Sequence, residues 1–174
     1  MKLAALAFLA MMVVHVMVRP EGGWVLLATC DVAALATALG VLAGWHRPIA
    51  VAFVFQATIG LPAFAVGLCT TYELNPTGVA VHVVPAVFGA IAVARHGMPR
   101  RAAFHAFVGY AATFVVGYLV APPVLNVNFA AFVWPPVAGV FHSRGTFWAA
   151  LFAATGVLLA VGEVVIRRVV GDRG

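Results

Sequence analysis

Apolar residues run along this chain in long stretches, and polar residues are confined mostly to the short joints between them. Five are long apolar runs and a sixth carries a Pro and a His: Leu3 to Val18, Trp24 to Trp45, Ile49 to Cys69, Thr77 to Ala94, Ala102 to Ala121 and Thr146 to Ile166. Each approaches the roughly 20 residues that an α-helix needs to cross about 30 Å of hydrocarbon. The pattern therefore predicts an all-α, polytopic membrane bundle of six transmembrane helices, one domain over residues 1–174. The first stretch is closed by His15 to Pro20 and not by a small-residue cleavage site, so it reads as a retained helix.

One joint is different. Between Ala121 and Thr146 the chain is too apolar for a free loop and too broken by Pro122, Pro123, Pro135 and Pro136 for a spanning helix. It is expected to fold back over, or partly re-enter, the extracytoplasmic face, where its peptide groups must be satisfied by protein or a wet cavity.

Composition supports this picture. The chain is 64% hydrophobic and 9% charged, with a mean hydropathy of +1.08; globular domains carry about 25% charged residues. A net charge of +5 raises the question of a nucleic-acid partner, but the basic residues are ordered by side. Counting alternate joints, Lys2, Arg47, Arg95, Arg100, Arg101, Arg167, Arg168 and Arg173 fall on one side, and Arg19 and Arg144 on the other. That asymmetry places the first side, with both termini, in the cytoplasm and the protein in the cytoplasmic (inner) membrane, with lipid and not nucleic acid as its partner.

The chemistry sits in a few polar side chains. Asp31, seven residues into the second stretch, is predicted about 10 Å below the outer surface, where a carboxylate costs about 2.5 to 3.5 kcal/mol unless it is partnered or neutral. Ala28, Ala34 and Ala38 share its face and would let another helix approach closely. His82 is expected about 8 Å deep from the same side, with Pro85 three residues on to kink its helix and free a carbonyl. Similar depth makes an Asp31–His82 pair, direct or through one water, the sharpest expectation. The competing arrangement has Asp31 bonded to a neighbouring backbone or hydroxyl group and His82 aimed at the interface.

Thr29 or Cys30 could act as a nucleophile if His82 served as its base, although only one of Thr29, Cys30 and Asp31 can aim straight at His82 because adjacent helical residues diverge by about 100°. Asn126 and Asn128 would present two amides on one side of an extended stretch, with Trp134 beyond them, as candidate substrate contacts. His15, Arg19 and His142 are expected as interfacial residues of this face. In the inner half lie Gln56, His105 and Glu163, the last spaced four residues from Arg167 for a structural ion pair. Cys30 and Cys69 read as packing residues. With no Gly-rich phosphate loop, HExxH or Cys-His cluster, neither a cofactor nor a metal is expected.

The order Gly22-Gly23-Trp24, Thr29, Asp31, Leu74-Asn75, His82, Pro85, Trp134-Pro135-Pro136 and Gly162-Glu163 resembles the androgen-induced protein family, small multi-helix membrane enzymes that hydrolyse fatty-acid esters of hydroxy fatty acids. That resemblance implies Thr29 as nucleophile, His82 as general base and a fatty-acyl ligand. Cys30-Asp31, Gln56, Pro62, His82, Pro85 and Asn126 to Phe129 are similar to a group of uncharacterised bacterial integral membrane proteins. The expected function is a lipid-directed intramembrane hydrolase or acyl transferase with its site in the extracytoplasmic leaflet. The alternative is a non-catalytic protein that binds a lipid or another bundle through the same cavity. A small-molecule transporter ranks third, because no inverted repeat of broken helices is visible.

Overall fold

The computed structural model describes residues 1–70 and 74–170. These form six α-helices and no strand: α1 (Lys2–Val18), α2 (Thr29–Ala43), α3 (His46–Thr70), α4 (Pro76–His96), α5 (Ala102–Val120) and α6 (Arg144–Val170). Helices α3, α4, α5 and α6 are long and apolar enough to cross a membrane, whereas α1 and α2 have 17 and 15 residues.

The second stretch departs most from expectation. Trp24 does not begin a long helix; Gly22–Leu27 winds as a 3-10 turn, Ala28 is extended, and α2 starts at Thr29. Ala28 stands at the N-cap and has no side-chain oxygen to hold the free amides of the first turn. The cap comes from elsewhere in the chain.

Helix α3 contains one π turn, Gln56–Gly60, immediately before Leu61 and Pro62. Wide turns of this kind often mark functional or strained positions, and here one precedes a proline whose ring would otherwise crowd the preceding turn. Helix α4 opens with Asn75 as a side-chain cap and Pro76 in its first turn.

Helices α2 and α3 occupy the middle of the bundle: α2 packs against α1, α3, α4 and α5, and α3 against α2, α4, α5 and α6. Small residues permit this. Ala34 and Ala38 of α2 are wholly buried in a cluster with Phe8, Met12 and Val81, and Gly89 of α4 receives the Phe53 ring where a Cβ would collide with it. Helix α6 lies on the outside and buries only Phe147, Thr155 and Leu159.

Contacts between helix ends sort the basic residues. Arg95 reaches the Met1 sulfur, the rings of His46 and His96 lie 5.6 Å apart, and Arg167 donates to the carbonyls of Met98 and Pro99. Lys2, Arg47, Arg95, Arg100, Arg101, Arg167 and Arg168 therefore gather at one end, and Arg19 and Arg144 at the other; Arg173 lies outside the described residues. Glu163 and Arg167 pair through a 2.6 Å contact, and Glu163 also accepts the Ala103 amide, so this pair clamps α6 to the start of α5.

The proline-rich joint contains only 3-10 turns, Pro123–Leu125, Val127–Phe129 and Pro135–Val137. It folds back over the end opposite the basic cluster, with Val127 over Gly117 of α5 and the Phe129 carbonyl accepting from the Trp148 indole.

Candidate functional site

The polar residues of that end assemble around the first turn of α2. Asn128, at φ 55° in the left-handed region that asparagine tolerates better than most residues, turns its side chain down onto Thr29. Its Oδ1 accepts the Thr29 amide at 2.9 Å and the Thr29 hydroxyl at 3.0 Å, while its Nδ2 donates to the carbonyls of Leu27 and Thr113. Asn128 is thus the missing N-cap of α2, supplied from 99 residues away. The Thr29 hydroxyl also lies 2.6 Å from that of Thr113, which contacts the Tyr110 carbonyl within its own helix.

Asp31, two residues further on, is almost wholly buried, and its neighbour is His15. The imidazole Nε2 lies 3.4 Å from Oδ1. The other ring nitrogen, Nδ1, is 2.9 Å from the Thr77 hydroxyl, and Thr77 donates to Asn75 Oδ1 at 3.1 Å, the same oxygen that accepts the Gly78 amide. These partners fix the protons. Asn75 Oδ1 can only accept, so the one Thr77 proton points to it, and His15 Nδ1 must supply the proton of the His15–Thr77 bond. Nε2 then faces Asp31 Oδ1 across 3.4 Å, with no hydrogen bond between them.

The direct form of the expected Asp31–His82 pair is absent. No hydrogen bond or ion pair joins His82 to Asp31, Thr29 or Cys30. His82 instead donates Nδ1–H to the Gly78 carbonyl one turn back, at 2.8 Å, and stacks on Phe64 of α3 with ring centroids 4.2 Å apart. His15, expected as an ordinary interfacial residue, holds the place assigned to His82. The signal for it was present: Ala5, Phe8, Met12 and His15 are the buried residues of α1, and their spacing of three, four and three is one continuous helical stripe.

Gln56 also belongs to this region, although its position along α3 had suggested the inner half. Fully buried, it donates from Nε2 to the Cys30 carbonyl at 3.0 Å and to the Val81 carbonyl at 3.3 Å. Val81 is the residue whose carbonyl Pro85 leaves without a helical donor, so Gln56 occupies the position that the proline vacates. Gly60 makes room for it, since any Cβ there would run into Gln56 Oε1. Two acceptors in this region, Asp31 Oδ1 and Gln56 Oε1, are buried without a hydrogen-bond donor.

Asn126 and Trp134 stand apart. Asn126 and Asn128 do not sit on an extended strand; both have positive φ, and their amides take different partners. Asn126 closes its own turn, accepting from the amides of Ala131 and Phe132 and donating to the Phe132 carbonyl. Trp134 packs its ring against Phe129. Cys30 and Cys69 are free thiols, and among the described residues no three His, Cys, Asp or Glu side chains gather as a metal would require. Compared with known proteins, the chain matches no protein-family model, no curated protein and no solved structure.

Proposed function

We propose that this is a six-span integral membrane protein of the cytoplasmic membrane, with both termini in the cytoplasm, whose role is to bind a membrane lipid without converting it. Six spans are supported by the packing of α1 and α2 inside the bundle. Helix α2 rises about 22 Å, and the preceding 3-10 turn adds about 12 Å, enough together to reach across the hydrocarbon. The orientation rests on the basic end, because arginine and lysine are retained on the cytoplasmic side.

One observation carries the non-catalytic reading: the Thr29 hydroxyl is tied to Asn128 and Thr113, and no base touches it. A nucleophile needs its base within hydrogen-bond reach, and no hydrogen bond joins His82 to the Thr29 hydroxyl. Mass analysis of lipid carried through purification in mild detergent, run beside incubation with fatty-acyl esters, tests this reading. Intact bound lipid and unchanged ester are expected. Ester loss that disappears in Thr29→Ala would overturn it.

A second reading has one observation in its favour. The Gly78 bond holds His82 in the tautomer that leaves Nε2 as the proton-accepting nitrogen. A hydrolase or acyl transferase of the kind the androgen-induced resemblance implies would use that nitrogen once Thr29 is released from Thr113. Equal loss of turnover in Thr29→Ala and His82→Ala is its signature.

A further inference from the structure

We infer that the groove between α5 and α6 at the basic end is a binding site for an anionic phospholipid, with Arg101 at its phosphate and one acyl chain along Phe104, Phe107, Gly156 and Ala160. The inference rests on the lipid-binding reading above and gives it a place and a headgroup charge. It concerns the opposite end of the bundle from the Thr29 and Asp31 cluster.

The groove is open to the surface and offers about 460 Å³, and its walls are apolar except at the mouth. Gly156 and Ala160, one helical turn apart on α6, keep the floor low. The Phe107 ring is the nearest side chain to Gly156, at 3.6 Å from where a Cβ would stand, so alanine would fit there and a longer side chain would enter the groove. In a spanning bundle this depression faces lipid tails, since α6 buries so little of its surface.

The mouth supplies the selectivity. Its one acid, Glu163, is already committed to the Ala103 amide and to Arg167, and Arg167 also holds the Met98 and Pro99 carbonyls. That group is internally neutral and fixed. Arg101 lines the groove, and neither it nor the adjacent Arg100 has a side-chain partner among the described residues, so two exposed cations stand at the level where phosphates lie. Arg101 is held in the left-handed region, at φ 62° and ψ 28°, by the sharp entry into α5. An apolar trough beneath unpaired guanidinium groups is complementary to a lipid phosphate that carries net negative charge, whereas a zwitterionic headgroup brings its own cation to the same place.

Native mass spectrometry of the full chain in detergent, titrated with phosphatidylglycerol and separately with phosphatidylcholine, tests the site. The wild type is expected to retain phosphatidylglycerol several-fold more than phosphatidylcholine. Arg101→Gln should abolish that preference, Arg101→Lys should keep part of it, and Gly156→Leu should lower retention of both lipids. Arg144→Gln, at the other end, should change nothing. Equal retention of the two lipids by the wild type, or full retention by Gly156→Leu, overturns the site, as does an Arg144→Gln effect as large as that of Arg101→Gln. Concentration-dependent dimers lost in Gly156→Leu without any headgroup preference would give the groove to a second copy and likewise overturn it. Failure of the wild type to retain any lipid would instead remove the lipid-binding reading itself.

Discussion

Nε2 of His15 lies 3.4 Å from Oδ1 of Asp31, and each residue is 4% exposed. The two come from α1 and α2, and the far side of the imidazole is fastened through Thr77 to the cap of α4. Three helices therefore meet on one polar chain, buried at His15 and Asp31 and half-buried at Thr77 and Asn75. Asp31 Oδ1 has no hydrogen-bond donor among the described residues, so the charge contact with the histidine is what offsets the burial of that oxygen.

Removing one member of this pair should cost much more than removing both. His15→Ala leaves a buried carboxylate alone, a defect of about 3–5 kcal/mol, whereas replacing both residues by leucine removes the polar groups together. Unfolding in mixed detergent micelles measures the difference. A double variant less stable than His15→Ala would contradict the pairing.

Asn128 should be the most sensitive residue of the proline-rich joint. Asn128→Ala removes the cap of α2 and two donated bonds and puts a Cβ-bearing residue without a polar side chain at positive φ, for a combined loss of roughly 2–4 kcal/mol. Asn126→Ala should act mainly on its own turn and cost less. Equal effects in thermal unfolding would mean that Asn128 does not cap α2.

Gln56 and Pro85 should be coupled. In the native background, Gln56→Leu strips the Val81 carbonyl of its donor; in a Pro85→Ala background, the restored amide at position 85 replaces it. The penalty of Gln56→Leu is expected to shrink by about 0.5–1.5 kcal/mol when Pro85→Ala is present. Strict additivity in a double-mutant cycle would show that Gln56 does not serve that carbonyl.

Topology follows from the sorted arginines. A reporter fused after Gly174 should be cytoplasmic, and cysteines placed at Pro122 and Ser143 should both react with an impermeant reagent from outside. Alkaline phosphatase activity from the Gly174 fusion, or labelling of the two cysteines from opposite sides, would refute the six-span arrangement.

The alternation of apolar runs and joints determined most of the helices to within a few residues, because helix formation in an apolar stretch is local and its punctuation, such as Asn75-Pro76 before α4, is written nearby. Sequence also determined that Glu163 would find Arg167, since a spacing of four fixes that geometry within one helix. It failed at the start of α2, where Trp24 was expected inside a helix that in fact begins at Thr29, because the cap that sets the start comes from Asn128 and no local residue announces it. The pairing of Asp31 was left to tertiary structure for a different reason. Position along a helix gives the height of a side chain but not the direction it faces, and His82 and His15 differ in direction. Packing of α1 and α4 around the small residues of α2 set those rotations, turning His15 inward and His82 onto Phe64.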